Sequence, residues 1–173
     1  MQYCKLQIGC MLIVAYIAFI FVRERRAYRI RRKEWVFELL LGTGLISIAF
    51  DGITAYTVNH LTEIPERINA VLHMCFLCSL DTVVFILFLY LLDITRGLPK
   101  RRWCRVVIGL PFLISIVTVI LFIPKITYCY GEITNYSRGI SADTCYIMVA
   151  IYMLAAVVVL FTGWKYMGHH KLV

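Results

Sequence analysis

Five long stretches of almost unbroken apolar residues run along the chain, separated by short charged or polar connections. They cover about residues 6–22, 35–57, 70–92, 106–123 and 144–161. Each is about 17–23 residues long, enough to cross about 30 Å of hydrocarbon at about 1.5 Å per residue. Inside lipid every backbone polar group has to be satisfied within the chain, which leaves helices or a closed barrel. Val, Ile and Thr are abundant, but the stretches are too long and too uniformly apolar for barrel strands. The pattern predicts an all-α membrane protein, a single bundle of about five transmembrane helices over residues 1–173. Only Lys5 leads the first stretch, no small-residue cleavage site follows it, and a run of arginines comes next. That reads as a retained helix and not as a cleaved signal peptide.

Composition strengthens this picture. Of 173 residues 61% are hydrophobic and 16% charged, with a mean hydropathy of +0.80. Soluble domains are about 45–50% apolar and about 25% charged, so the excess points to lipid as the solvent. The net charge of +8 does not indicate a nucleic-acid partner. Such a partner needs basic side chains gathered on one soluble face, and here they stand in short runs between apolar segments.

Those runs give the expected orientation. Seven Lys or Arg fall in 23–34, five in 96–105 and two after Phe161, whereas Lys5, Arg67, Lys125 and Arg138 lie on the other side. Fourteen against four places the richer side in the cytoplasm. The amino end is therefore expected outside and the carboxyl end inside, in a multi-pass protein of the cell membrane.

Polar residues within the apolar stretches are the candidate functional positions. Asp51 in the second stretch and His73 in the third are expected at similar depth on antiparallel neighbours, close enough for a carboxylate–imidazole pair. Asp81 falls near the middle of the third stretch, where a charge is costly and normally faces the bundle interior. Thr43, Ser47, Asp51 and Thr54 recur at helical spacing and predict one polar stripe suited to interhelical hydrogen bonds. Asp51, His73, Asp81, Ser47 and Thr54 form the expected intramembrane polar core. Its role is either packing and orientation or ligand sensing and proton coupling.

The seven cysteines, Cys4, Cys10, Cys75, Cys78, Cys104, Cys129 and Cys145, are too scattered for a disulfide scaffold. Cys129 and Cys145 both fall near the outer side, where a bridge closing the last outer loop is one expectation. Cys75 and Cys78 lie three apart near His73 and Asp81, but metal ligation needs a converging set, and paired helix cysteines read better as small apolar filler. No metal site and no cofactor are expected. Asn135-Tyr136-Ser137 fits the glycosylation pattern. Pro111 is expected to kink the fourth helix, and Gly42 and Gly44 to permit close helix approach. Trp35, Tyr128, Tyr130, Tyr136 and Trp164 suit interfacial belts.

No phosphate-cradling loop, nucleophile elbow or His-Glu-x-x-His is present, and the connections are too short for a soluble catalytic domain. Three stretches carry a resemblance: Phe50-Asp-Gly-Ile-Thr-Ala-Tyr-Thr-Val-Asn-His60; Leu72-His-Met-Cys-Phe-Leu-Cys-Ser-Leu-Asp81, running on to Tyr90; and Thr134 to Tyr146, leading into Val149-Ala-Ile-Tyr152. Together they resemble the amino-terminal multi-helix membrane region of Firmicute signalling proteins. In that family the region precedes a cytoplasmic diguanylate cyclase (GGDEF) domain or another output domain such as a histidine kinase. The resemblance implies a sensory or anchoring module. The partners expected are the bilayer, a cytoplasmic output domain or partner, and a second copy of the chain. It carries over no catalytic residue, and the chain is itself expected not to be an enzyme. The family region continues into further helices, so the chain is expected to be truncated at its carboxyl end or a stand-alone relative. The competing reading is a small transporter or channel component that uses the Asp and His residues as an ion path.

Overall fold

A computed structural model of the protein describes residues 5–28, 35–131 and 135–167, apart from the side chains of 25–28 and 164–167. Cys4, most of the first basic run, Thr134, Lys171 and the side chains of Trp164 and Lys165 lie outside the described residues. Five helices carry the fold: α1 Lys5–Tyr28, α2 Trp35–Val58, α3 Glu66–Thr95, α4 Arg102–Phe122 and α5 Ile140–Met167. All five are long and apolar enough to cross a membrane. Between α4 and α5 a short 3-10 turn, Ile123–Lys125, leads into a two-stranded antiparallel hairpin of β1 Thr127–Cys129 and β2 Tyr136–Arg138.

The helices extend beyond the apolar stretches. α3 spans 30 residues and α5 spans 28, about 45 and 42 Å of helix. Backbone hydrogen bonding has no reason to stop where side chains turn polar, so the added turns carry Glu66 and Arg67 on α3 and Ser141 and Asp143 on α5. α3 begins where the Pro65 carbonyl accepts the Asn69 amide, at 3.1 Å. Proline suits that entry because it needs no amide partner there.

Pairwise contacts set the helix directions. Late α1 meets early α2 through Phe21 and Phe37, with ring centroids 5.0 Å apart. Early α3 meets late α2 through Asn69 and Thr57. α4 lies against α3 in the opposite sense, with Phe85 stacked on Phe112 at 4.6 Å and Ser115 bonded to Asp81. α3 and α5 run parallel, joined in sequence order by Leu77 with Cys145, Phe88 with Tyr152 and Thr95 with Gly163. α3 is thus the hub, packed on α2, α4 and α5, while α1 rests chiefly on α2. The ends of the bundle differ. One carries the α2–α3 turn and the hairpin; the other carries the basic α3–α4 connection.

The core follows one stripe on each of two helices. On α3 the buried positions Asn69, His73, Leu77, Asp81, Val84, Phe88 and Thr95 form it, with Ile86 buried off it; on α5 Ser141, Cys145, Met148, Tyr152 and Ala156 form it, with Ala142 buried beside them. Steps of three, four and seven keep each set on one face. Leucines and isoleucines elsewhere on the helices point outward in large numbers, as expected where the surroundings are lipid and packing depends on fit and hydrogen bonds.

Glycine decides two close points. Gly139, at φ +154°, sits just before α5, and a Cβ there would stand 3.4 Å from the Ile126 Cα. Its carbonyl accepts the Asp143 amide at 3.0 Å and so starts the helix. At the opposite end a Cβ on Gly163 would stand 2.9 Å from the Thr95 Cβ, so only glycine allows α5 to approach α3 there. The expected approach through Gly42 and Gly44 is not found, since no atom lies within 4 Å of a Cβ built at either.

Candidate functional site

The polar residues of α3 do not form one cluster; each reaches a different element. At the hairpin end the Asn69 Oδ1 accepts the Thr57 hydroxyl of α2 at 2.7 Å. One turn on, His73 Nε2 lies 2.7 Å from the Ser137 hydroxyl of β2. Two turns further, Asp81 Oδ2 accepts the Ser115 hydroxyl of α4 at 2.6 Å, and the Cys145 thiol of α5 lies beside the same carboxyl. A spacing of four residues aligns all three on one face, and the partners from α2, β2, α4 and α5 arrive around it.

Two sequence expectations need correction. Asp51 does not pair with His73: its carboxylate is bonded to Gln7 on α1, because position 51 falls on the face of α2 turned to α1. Nor is the α2 stripe an interhelical ladder. Thr43 donates to the Leu39 carbonyl at 2.7 Å and Thr54 to the Phe50 carbonyl, so their hydroxyls are satisfied within α2 itself. Ser47 and Thr54 are buried, but the crossing to α3 is made by Thr57. Of the expected core residues, only His73 and Asp81 occupy the α3 face.

The expected outer disulfide is absent, as Cys129 and Cys145 are both free thiols. Cys129 sits in β1, whereas Cys145 falls on the buried stripe of α5 with its Sγ 3.9 Å from the Leu77 carbonyl. Among the described residues no cluster of His, Cys, Asp and Glu converges as metal ligands would. The glycosylation pattern is occupied by packing. Asn135 donates from Nδ2 to the Val58 carbonyl at 3.0 Å and from its amide to Asn59 Oδ1 at 3.1 Å. Ser137 holds His73. The connection before α5 is thereby clamped to the end of α2.

The hairpin brings chemistry to the end of α3. Tyr128 and Ser137 are paired across the strands, so both face His73: Ser137 by its hydroxyl, Tyr128 by its ring edge, with centroids 6.3 Å apart. The Tyr128 hydroxyl is buried and has no hydrogen-bond partner. Burial holds its phenol above the ordinary value of 10.0, and the Glu66 carboxylate nearby pushes it further up; both disfavour the phenolate. His73 Nδ1, Asn69 Nδ2 and Ser141 Oγ are likewise buried with no partner. This end of the bundle therefore collects polar groups with unused bonding capacity.

Leu77, Val119, Ile123, Ile126 and Cys145 form one core cluster beside these polar groups, and toward the other end the interior is apolar and aromatic. Val84, Phe88, Met148, Tyr152 and Ala156 form a second core cluster. Tyr152 has its ring 5.5 Å from Phe85 and 5.4 Å from Phe88. Its hydroxyl donates to the Ile108 carbonyl at 2.5 Å and accepts the Phe112 amide at 3.2 Å. Those are the two groups that an undisturbed α4 would join to each other, so Tyr152 is inserted into the α4 ladder. The insertion sits beside Pro111, whose ring already weakens the ladder there. The expected disturbance of α4 at Pro111 is thus answered by a side chain from α5, which the sequence does not disclose.

Compared with known protein families, curated proteins and solved structures, the chain matches none.

Proposed function

We propose that this chain is a membrane-embedded sensory or anchoring module, with the hairpin end outside, the basic end cytoplasmic, and α3 and α5 as the elements that link them. The supporting observation is the continuous parallel pairing of those two helices. It starts at the polar groups around His73, Asp81 and Cys145 and ends where Gly163 meets Thr95. A ligand or a membrane change that altered the polar end would bias the relative position of two helices whose other ends lie on the basic side. Coupling of this kind requires two arrangements with different affinity for the stimulus. The resemblance of the three sequence stretches to the membrane regions of Firmicute diguanylate cyclases accords with the same reading, with an output domain on the cytoplasmic side.

The transporter reading has less support. A polar path leading inward from His73 and Asp81 would meet the apolar and aromatic cluster around Phe88 and Tyr152.

The test is a fusion of the chain, through its carboxyl end, to a reporter cyclase domain in a bacterial membrane. His73→Ala and Asp81→Leu are expected to change reporter output at least about fivefold, the lower bound of typical allosteric coupling, at unchanged membrane abundance. Ile151→Ala, on an outward face, leaves output as in the parent. Unchanged output in both polar variants, together with solute flux in proteoliposomes, ends the sensory reading in favour of transport.

A further inference from the structure

Beside the His73 cluster, between the α2–α3 turn and the hairpin, an open cavity of about 400 Å³ is walled by Leu61 and Ile64 of the turn, Glu66 of α3, and Ile126, Thr127, Tyr128 and Tyr130 in and around β1. Its chemistry is one-sided. Among the described residues Glu66 is the one charged side chain in the wall, and it is exposed. No Lys or Arg contributes: Lys125, next to Ile126 in the chain, is turned over the Phe122 ring, 5.4 Å from its centroid. Two tyrosines, three aliphatic side chains and Thr127 supply the remainder. A carboxylate with aromatic and aliphatic walls is the arrangement that recognises an ammonium carried on an apolar body, through charge pairing and cation–π attraction.

We propose that this cavity binds an organic ammonium group, with Glu66 as its counter-ion and Tyr128 and Tyr130 as its aromatic wall. Tyr128 also contacts His73 by its ring edge, so an occupant touches a neighbour of the residue that ties α3 to the hairpin. The ammonium can come from a free amine or from the headgroup of a lipid at the same level of the bundle. The consequence for output rests on the sensory reading; the binding does not, and the two fail separately. Loss of binding is seen on the isolated chain, loss of output only in the reporter fusion.

The experiment uses the full chain in an alkyl maltoside, which carries no ammonium, titrated calorimetrically with phenethylammonium and with neutral 2-phenylethanol. One saturable site for phenethylammonium is expected and none for the alcohol. Glu66→Gln weakens binding about tenfold, and Tyr128→Ala does so by a similar or smaller factor, in keeping with the size of desolvated cation–π and charge contacts. Far-UV circular dichroism shows that each variant keeps its helices, and the exposed Glu66→Gln variant alone suffices if Tyr128→Ala does not fold. A second arm repeats the titration in nanodiscs of phosphatidylglycerol, with and without phosphatidylethanolamine. Competition by the aminolipid assigns the site to a headgroup; no competition assigns it to a free amine. Equal binding of the alcohol, unchanged affinity in Glu66→Gln, or no saturable binding overturns the proposal.

Discussion

The two halves of α3 meet their neighbours by different physics. Toward the hairpin, hydrogen bonds from single polar side chains run beside an apolar cluster around Leu77 and Val119: His73 to Ser137, Asp81 to Ser115, and Cys145 beside the Asp81 carboxyl. At the basic end the contacts are shape: Phe88 against Tyr152, Ala156 in the core, and Gly163 closed on Thr95. In a lipid-like setting interhelical hydrogen bonds are worth only about 0.6 kcal/mol on average, because alternative partners are found when they break. Overfilling a close-packed contact costs about 1–3 kcal/mol. The packed half should therefore be the stable one and the polar half the adjustable one, which is the division a helix pair needs if one end receives and the other transmits.

Substitutions can break that contrast. The largest effect is expected from Gly163→Leu, which drives side-chain atoms into Thr95 and should lower stability by about 1–3 kcal/mol in reversible detergent unfolding. Gly163→Ala costs less, and Thr95→Ala rescues it only in part, since the Thr95 Cβ, at 2.9 Å, remains. Next comes Tyr152→Phe. It keeps the ring packing but leaves the Phe112 amide and the Ile108 carbonyl without the bridging hydroxyl, at a cost of about 1–2 kcal/mol. Ser115→Ala, which removes a hydrogen bond of the polar half, should cost less than about 1 kcal/mol. A Ser115→Ala loss exceeding that of Gly163→Leu would invert the contrast.

Two smaller effects sharpen it. Tyr128 should ionise above pH 10.0 in a 295 nm titration, and Glu66→Gln should bring its pKa down by removing the lesser of its two causes. The sign for stability follows from linkage: a phenol whose folded-state pKa is raised contributes stability that is present below the unfolded pKa and lost as pH rises through the folded one. The smallest expected effect is none. Because Cys129 and Cys145 are free, reduction should leave the electrophoretic mobility unchanged, in the parent and in Cys145→Ser alike.

Much of the fold could be read from residue order. Twenty or so apolar residues in a row permit little except a helix, so all five helices were expected, with ends that the structure moves outward by a few residues. His73 and Asp81 were also legible, because a polar side chain in an apolar stretch has to face other protein. Their partners were not. Ser115 and Ser137 are ordinary residues in their own segments, and Tyr152 stands in a run of apolar ones. Nothing local marks a tyrosine that will open the hydrogen-bond ladder of another helix beside Pro111.

Asp51 illustrates the limit best. Its position in the sequence gives its depth, and depth suggested His73. The rotation of α2 about its axis turned it instead to Gln7 on α1, and rotation depends on how every helix packs at once. The same holds for the glycines: Gly42 and Gly44 have the composition of a contact and face open space, whereas Gly163 makes the contact. Sequence by itself settled how many helices there are and which residues are costly to leave unpartnered, because those follow from the free energy of placing each residue in an apolar medium. Which helix faces which, and therefore which polar groups meet, was settled by tertiary packing, because it depends on the mutual fit of whole surfaces that no single segment encodes.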